Sequence, residues 1–397
     1  MDFDLSTTSL PPKEVKQLLI LLGKNFDLFS TDWKSLGKCD IECGPIITSG
    51  PPIRSNPYKT NPNTRAEIRK QVTALQEAGL IVPSSSPYWS PVVMVGKPDG
   101  SYRFAVDYRK LNQVTSSLYF PLIGIDTILQ ILGEAKAKYF SSIDLLAGFW
   151  QLRLDPDTAH KTTFITEQGP FHWVVLPFGL KNAPAEFSSM IYKVFSGLNF
   201  ANVICYVDDI LTFSQTFQDH LTHLQQVFDR LRKHNLKVKP SKCKFACTTV
   251  PYLGYNISPN GLSIQDTKLH ALKTFPRPTN TKSVRSWLGL TIFFRRFVKD
   301  YAKIAYPLTQ LLKKNLKFKW TEECEKAFLT LKSHLNSEPI FLAFLRFDLP
   351  VILTCDASDY AIGYILCQIT ENKTERAIAF AGQNLNASEK NRSGRKN

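Results

Sequence analysis

The stretch Val203-Ile204-Cys205-Tyr206-Val207-Asp208-Asp209-Ile210-Leu211-Thr212-Phe213 sets two adjacent aspartates between two short apolar runs. The runs predict the strands of a β-hairpin, with the aspartates at its tip. Acidic residues are common in turns, so the pair has a purely structural interpretation. Adjacent carboxylates also supply the oxygen ligands that divalent cations prefer, and burying two like charges is costly without a counterion. This stretch alone leaves both interpretations open.

The residues around this hairpin predict alternating strands and helices. Residues 139–145 form an apolar strand that carries Asp144 near its end, and residues 216–234 have the apolar spacing of a helix. Residues 91–95 and 102–107 predict a second hairpin, joined by the turn Lys97-Pro98-Asp99-Gly100. Before it, Thr64 and Glu67 predict a capping box that opens a helix. The middle of the chain is therefore predicted to be an α/β layer with carboxylates where strands end.

The charge of the chain indicates a polyanionic partner. Its 397 residues contain 49 Lys and Arg against 34 Asp and Glu, a net charge of +15. Such a surplus suits nucleic acid or an acidic membrane face. Residues 268–319 alone hold 13 basic residues and one acid. A solvated basic helix face is the ordinary interpretation of such a segment, but this concentration of charge favours an element that grips a duplex.

Two further classes of feature are weak. The pairs Cys39/Cys43 and Cys243/Cys247 have a spacing seen in zinc sites, but no nearby histidine pair completes a tetrahedral set, so reduced thiols are expected. The N-terminus lacks the basic and apolar pattern of a secretory leader. Its longest early apolar run, residues 18–22, is too short for a membrane span, and no membrane partner is expected.

Several ordered segments resemble the motifs of reverse transcriptases. Residues 206–209 resemble the Y-x-D-D box, and residues 141–144 resemble the box that supplies the first metal-binding aspartate. Other resembling segments are 86–93 and 103–112 (fingers), 176–184 (P-F-G-L-x-N-A-P), 252–255 (primer grip), 284–297 (thumb) and 354–358 (RNase H). The thumb segment is similar to that of Gypsy-type LTR retrotransposons. Over roughly residues 50–390 the chain thus resembles the reverse transcriptase region of a Gypsy-type (Metaviridae) Pol polyprotein.

The resemblance implies an α/β (α+β) fold shaped as a right-hand polymerase. Residues 1–63 would form an N-terminal helix and an extended arm, and residues 64–135 the fingers. Residues 136–255 would form a palm with an antiparallel sheet, interleaved with the fingers. A helical thumb over 256–320 and a linker helix with a partial RNase H-like domain over 321–397 would complete the chain.

The resemblance also assigns a metal centre. Asp144, Asp208 and Asp209 would be the catalytic residues and would hold two Mg²⁺ ions, for which Mn²⁺ can substitute. Asp144 and Asp208 would bind both ions, and Asp209 would support the site electrostatically. Two ions about 3.5–4 Å apart can activate a primer 3′-hydroxyl and neutralise a leaving pyrophosphate.

The remaining site residues follow from the matched motifs. Those assigned to the incoming nucleotide are Lys97, Arg103, Phe149, Gln151, Phe178 and Gly179. Those assigned to primer and template are Tyr206, Leu253, Gly254, Arg285, Arg295 and Arg296. Arg103 would neutralise phosphates as a permanently charged fork. Phe149, which could otherwise be a core aromatic, would lie under the sugar and exclude a ribose 2′-hydroxyl.

The implied function is DNA polymerisation on RNA and DNA templates, with a template–primer duplex and dNTPs as partners. Asp356 is the single plainly matched RNase H acid, and Glu389 belongs to the segment before the second, so no RNase H cleavage is expected. The chain is expected to be a polyprotein fragment or a truncated genomic copy, with a homodimer as one possible state. Its expected location is the cytoplasm, including virus-like particles, or the nucleus. The alternatives are a silent remnant that only binds nucleic acid, and an RNA-templated RNA polymerase, against which Phe149 argues.

Overall fold

The computed structural model describes residues 3, 5, 8, 10–96, 100, 102–313, 317–336, 341–358, 361–369, 373–385 and 389. The chain separates into two compact units. The first unit combines Met1–Gly124 with Tyr139–Cys247, and the second combines Ile125–Lys138 with Thr248–Asn397. The fold is a mixture of helices and mainly antiparallel sheets.

The first unit contains the predicted α/β layer. Its helices are α1 (Pro12–Lys24), α2 (Pro62–Glu77), α3 (Arg109–Val114), α5 (Ala183–Val194) and α6 (Phe217–Lys233). Its strands are β1 (Ile81–Pro83), β2 (Ser90–Gly96), β3 (Tyr102–Val106), β4 (Tyr139–Asp144), β5 (Phe164–Thr166), β6 (Gly169–Trp173), β7 (Val203–Tyr206), β8 (Asp209–Ser214) and β9 (Lys244–Cys247). Short 3₁₀ helices include Trp33–Ser35, Gly148–Gln151 and Pro240–Lys242.

A four-stranded antiparallel sheet in the order β7-β8-β4-β9 is the centre of this unit. Helix α6 packs on β8 and β4 and buries Leu224, Val227, Phe228 and Leu231, which share one helical face. The hydroxyl of Thr216 caps α6 by accepting the backbone N–H of Asp219 at 3.2 Å. The hairpin and the helix predicted from the sequence are therefore confirmed.

A five-stranded sheet in the order β1-β6-β5-β2-β3 forms the other layer of the first unit. Strands β2 and β3 pair antiparallel from Val92↔Val106 to Gly96↔Tyr102, which confirms the second predicted hairpin. The predicted turn residues Lys97, Pro98 and Asp99 lie outside the described residues. Strand β2 also pairs in parallel with β5, a long-range contact that the local sequence pattern does not contain.

The second unit consists of helices and two three-stranded antiparallel sheets. Its helices are α4 (Ile125–Glu134), α7 (Asp266–Thr274), α8 (Thr281–Ile292), α9 (Tyr301–Gln310) and α10 (Glu322–Asn336). Its strands are β10 (Val250–Tyr252), β11 (Tyr255–Ser258), β12 (Gly261–Ile264), β13 (Val351–Ala357), β14 (Ala361–Ile369) and β15 (Glu375–Asn384). Trp287 on α8 is completely buried and packs on Phe328 of α10 with ring centroids 4.8 Å apart.

One helix start differs from the sequence prediction. Helix α2 begins at Pro62, and its cap is Asn61, whose side chain accepts the backbone N–H of Thr64 at 2.8 Å. The capping box predicted for Thr64 and Glu67 is therefore wrong, because proline at the first helical position lets the helix start earlier. Among the described residues, no helix combines the length and apolar character needed to span a bilayer.

Candidate active site

The geometry of the candidate site follows from the register of β4 and β8. Asp144 closes β4, Asp209 opens β8, and the two residues are directly opposite each other. Directly opposed residues in an antiparallel pair share a face, with Cβ atoms about 4.5–5.5 Å apart. Asp208 is the second residue of the two-residue turn that joins β7 to β8, and it directly precedes Asp209. The three acids are thus brought to one end of the four-stranded sheet.

The turn that carries Asp208 has an unusual backbone. Val207 has a φ of 54°, in the left-handed region that β-branched residues rarely occupy. The strands on either side fix it, because Tyr206 pairs with Asp209 and Ile204, Ile210 and Leu211 are completely buried. Asp208 is consequently held in an exposed position beside the opposed pair.

Burial, together with neighbouring negative charge, raises the pKa of Asp144 and of Asp209. Burial raises the pKa of Asp144, the cation of Lys242 opposes this, and the charge of Asp208 adds to it. The Lys242 ammonium lies 3.2 Å from Asp144 Oδ2. Partial burial, followed by the charges of Asp208 and Asp144, raises the pKa of Asp209 to about 6. Asp209 nevertheless remains an exposed residue at the end of the sheet.

These acids fit an open cation site rather than a closed metal cage. Among the described residues, no three His, Cys, Asp or Glu side chains converge closely enough to enclose an ion. Mg²⁺ keeps several waters and usually binds only one or two carboxylates. The donors are hard carboxylate oxygens with an excess of negative charge, which Lys242 offsets in part through its ion pair with Asp144 and its charge near Asp209. Divalent metal use, which is general in reverse transcriptases, is compatible with this donor set.

A buried histidine that the sequence analysis did not single out braces the strands of the site. The ring of His220 is completely buried on α6. Its Nε2 lies 2.7 Å from the hydroxyl of Ser141 on β4, and its Nδ1 lies 2.9 Å from the hydroxyl of Ser214 on β8. The Ser141 hydroxyl also accepts the backbone N–H of Ala246 on β9 at 2.8 Å. This network links three strands, and two of them carry Asp144 and Asp209.

Phe149 belongs to a cluster of aromatic side chains. Ala147, with a φ of 47°, reverses the chain after β4 and starts the 3₁₀ helix that carries Phe149. The ring of Phe149 lies 5.0 Å from that of Phe178 and 4.9 Å from that of Phe187. Phe178 remains partly exposed, with 42% of its surface accessible. The structure therefore brings together two of the residues assigned to the incoming nucleotide.

Gly179 follows Phe178 in a conformation that favours glycine. Its φ is 97°, and its carbonyl accepts the side-chain amide of Asn112 at 2.9 Å. Asn112 Oδ1 in turn accepts the backbone N–H of Lys181 at 2.8 Å, which ties the motif to α3. Arg103 lies exposed on β3. Lys97, assigned to the same nucleotide, lies outside the described residues.

Gln151 does not line the nucleotide pocket as a ligand-binding group. Its side chain is completely buried, and its Nε2 donates to the carbonyls of Leu146 and Lys237, each at 2.8 Å. Its Oε1 accepts the backbone N–H of Lys237 at 2.7 Å. The assignment of Gln151 to nucleotide contact is thus corrected, because its amide is used to hold the segment that carries Phe149.

The remaining primer and template residues lie in the second unit, apart from Tyr206. Leu253 and Gly254 form a two-residue turn between β10 and β11, with φ values of 49° and 85°. A Cβ atom added at Gly254 would lie 3.1 Å from the ring of Phe293, so the turn packs tightly. Tight packing of this kind leaves little room for any residue except glycine.

The basic residues of the thumb segment differ in their availability. Arg285 and Arg295 are exposed. Arg296 is largely buried and forms an ion pair with Asp126 on α4. The expectation that all three face a duplex therefore has to be modified for Arg296, whose guanidinium already has a partner. Asp356, the matched RNase H residue, is exposed on β13 opposite Gly363.

The cysteines are not paired in disulfide bonds. All eight are thiols, and Cys39, Cys43, Cys243 and Cys247 are buried.

Two segments of the chain match known families. Residues 95–257 match the family described as reverse transcriptase (RNA-dependent DNA polymerase). Residues 320–397 match the RNase H-like domain found in reverse transcriptase.

Relatives with curated descriptions are Pol polyproteins of transposons. The retrovirus-related Pol polyprotein from transposon 297 of Drosophila melanogaster is 38% identical over 351 residues, which cover 87% of this chain and 32% of that protein. The polyprotein from transposon gypsy of the same species is 34% identical, covering 80% of this chain and 32% of that protein. The Tf2-3 polyprotein of Schizosaccharomyces pombe is 31% identical, covering 80% and 23%. The chain spans about a third of the length of the curated relatives it matches.

Solved structures with a similar fold are complexes of a foamy viral protease-reverse transcriptase. One complex with dsDNA has a TM-score of 0.85 and 26% identity, covering 97% of this chain and 80% of that chain. Another, with an RNA/DNA hybrid, has a TM-score of 0.83 and 26% identity, covering 97% and 52%.

Proposed function

Because residues 95–257 of this chain belong to the reverse transcriptase family and its relatives are Gypsy-type and Tf2 retrotransposon Pol polyproteins, we propose that it is an RNA-directed DNA polymerase. It adds deoxynucleotides to a primer 3′-hydroxyl on RNA and on DNA templates. The observation that carries the proposal is the register of Asp144 opposite Asp209, with Asp208 adjacent in the turn. Acids directly opposite each other destabilise a sheet through charge repulsion, which bound cations would relieve.

Asp144, Asp208 and Asp209 would hold two Mg²⁺ ions, or Mn²⁺ in their place. The ions would lower the pKa of the primer hydroxyl and neutralise the leaving pyrophosphate. The protein holds the acids in place. The buried strands fix their positions at the end of the sheet, and the hydrogen bonds of His220 hold β4 next to β8. Lys242 keeps a positive charge beside Asp144 when no cation is bound.

Phe149 and Phe178 would select and orient the incoming dNTP. The two rings lie 5.0 Å apart and the buried Gln151 holds the segment that carries Phe149. An aromatic face below the sugar leaves no space for a 2′-hydroxyl, so deoxynucleotides are favoured by sterics. Arg103 supplies a permanent positive charge on the exposed side of β3, where it is free to neutralise phosphate oxygens.

The nucleic-acid partner would be a template–primer duplex. The net charge of +15 and the basic segment over residues 268–319 provide the electrostatic attraction that duplex binding requires. The solved structures that resemble this chain are complexes with dsDNA and with an RNA/DNA hybrid, and we extend both duplex types to this chain. A homodimer, a polyprotein context and a cytoplasmic or nuclear location remain predictions.

We also expect no RNase H cleavage by this chain. That reaction requires a set of carboxylates around two metal ions, and Asp356 is the single residue that plainly matches the set. Asp356 lies exposed in β13. Degradation of the RNA strand of a hybrid that is abolished by Asp356→Asn would contradict this expectation.

Primer extension by the purified chain tests the proposal. With poly(rA)/oligo(dT) and with poly(dA)/oligo(dT), extension should require Mg²⁺ or Mn²⁺ and should be lost in Asp208→Asn. Asp157→Asn removes one exposed carboxylate from the same unit and should extend normally. Salt-dependent duplex binding without extension would instead identify a silent remnant, and equal use of ribonucleotides would identify an RNA polymerase.

A further inference from the structure

A cavity of about 530 Å³ in the first unit is lined by residues that include none of the three aspartates. Trp150 forms its inner wall, Trp33 and Lys34 belong to its rim, and Arg153 and His172 also line it. We call it the Trp150 cavity. Its volume is in the range of sites for small organic ligands, about 300–1,000 Å³.

The wall of the Trp150 cavity is held in place by backbone contacts. The N–H of Cys39 donates to the carbonyl of Gln151 at 2.9 Å, and the N–H of Cys43 donates to the carbonyl of Arg153 at 2.9 Å. A Cβ atom at Gly37 would overlap a backbone carbonyl oxygen, so glycine is needed for this close approach. Backbone hydrogen bonds between the segment after Trp33 and the segment after Trp150 therefore fix the shape of the cavity.

Polar atoms in the cavity wall lack partners. Trp150 is only 7% exposed, and its indole Nε1 has no hydrogen-bond acceptor among the described residues. The buried Nδ1 of His172 also lacks a partner within the same part of the chain. Neither nitrogen has surface accessible to solvent, so recognition of a ligand in the cavity depends on the charged and aromatic residues of its lining.

The charge of the lining favours an anion. Lys34, Lys38 and Arg153 line the cavity, and no carboxylate does. Outside the lining, Glu77 lies 3.2 Å from Lys34 and Glu42 lies 3.6 Å from Arg153. Both pairs are exposed, and exposed ion pairs are weak and rearrange easily. A phosphate group can therefore compete for these cations.

The aromatic wall favours a planar group. Trp33 is 38% exposed and meets Trp150 edge-on, with ring centroids 5.1 Å apart and an angle of 85°. Part of the Trp33 indole is therefore accessible, and Lys34 and Lys38 line the same cavity. Aromatic faces next to cations are the usual means of binding single nucleotides, because every base can stack and every nucleotide carries phosphate.

We propose that the Trp150 cavity binds a nucleotide unit, with the base against Trp33 and the phosphate toward Lys34, Lys38 and Arg153. The unit comes either from a free nucleotide or from an unpaired nucleotide of a single strand. Binding there does not depend on the polymerase activity. The cavity is nevertheless connected to the residues assigned to the incoming nucleotide, because the ring centroid of Trp150 lies 6.1 Å from that of Phe178. The Phe178 ring in turn contacts Phe149.

Calorimetry on the full chain with dAMP, in chelator and without divalent cations, tests this proposal. Adenosine and inorganic phosphate are the matched probes that lack one half of the ligand. Trp33→Ala should weaken dAMP binding about 5- to 150-fold, while Trp89→Ala, which removes an indole that is 37% exposed elsewhere in the unit, should not. Lys38→Gln should weaken dAMP but not adenosine, and the exposed Lys193→Gln should change neither.

A ten-nucleotide single strand distinguishes the two sources. Tighter Trp33-dependent binding of the strand than of dAMP assigns the site to a single strand, and equal or weaker binding assigns it to a free nucleotide. Trp33→Phe keeps an aromatic face and should retain most of the affinity, which separates stacking from loss of structure. The proposal is overturned if Trp33→Ala and Trp89→Ala bind both probes alike, or if dAMP binds no more tightly than adenosine.

Discussion

Replacing His220 with glutamine will remove a large part of the acid sensitivity of the first unit. His220 is completely buried between Ser141 and Ser214. Burial, followed by the nearby His223, lowers the pKa of this imidazole from 6.5 to about 3. Glutamine can also bond both hydroxyls, but it does not titrate. The substitution therefore isolates the contribution of the ring proton.

The magnitude follows from the difference between the folded and unfolded pKa values. Between pH 6.5 and about 3, the unfolded chain binds a proton at His220 that the folded chain does not. The contribution of His220 to the free energy of unfolding is therefore fully present above pH 6.5 and decreases as the pH falls through this window. Below about pH 3 it decreases no further. Lowering the pH from about 7.5 to about 5.5 should cost about 1.4 kcal/mol through this residue.

Urea unfolding at these two pH values, followed by hydrogen exchange in peptides from β4 and β8, measures the effect. The loss of unfolding free energy on acidification should be about 1.4 kcal/mol smaller in His220→Gln than in the wild type. His223→Gln keeps the buried ring and should keep most of the wild-type loss. His220→Leu is a second non-titrating variant in case glutamine prevents folding. An unchanged pH dependence in both His220 variants would show that the buried neutral ring is not the cause.

Three other perturbations test separate parts of the structure. Phe149→Ala should reduce discrimination against ribonucleotides about 5- to 150-fold in primer extension, because it removes a clash of about 1–3 kcal/mol. Gly37→Ala should lower the melting temperature sharply, since its Cβ would overlap a backbone carbonyl oxygen, whereas Gly23→Ala meets no atom within 4 Å and should be neutral or stabilising. Arg285→Gln should reduce the salt slope of duplex binding by about 1, and the ion-paired Arg296→Gln by less than about half as much, in fluorescence anisotropy titrations.

The strands and acids of the site are predictable because their signals are local. The apolar runs beside Asp208 and Asp209 have the length and bounds of strands, and Asp144 ends a similar run. Only the register between β4 and β8 needed the structure, because strand pairing joins residues far apart in sequence. The resemblance to reverse transcriptases anticipated that pairing, and the positions of Phe149 and Phe178 with it.

The features that the sequence did not reveal depend on contacts between distant segments. A glutamine seven residues after Asp144 gives no sign that its amide will bond the backbone of Lys237. The cap of α2 was misplaced by three residues because Asn61 and Thr64 are both good caps, and the following Pro62 decided between them. In the sequence, His220 looks like an ordinary polar residue of an amphipathic helix. Its role is visible only in the structure, where serines from two strands contact it.

Several features at the end of the sheet, where Asp144 is opposite Asp209, each lower the stability of the fold. Like charges directly opposite on neighbouring strands are destabilising. A valine at φ 54° is strained by roughly 1–3 kcal/mol, where a two-residue hairpin built for stability favours Asn-Gly. Burial, followed by repulsion from the other two acids, raises the pKa of Asp209 to about 6. A divalent cation among these oxygens would turn that repulsion into attraction, so these unfavourable arrangements support the proposal that the three acids hold cations.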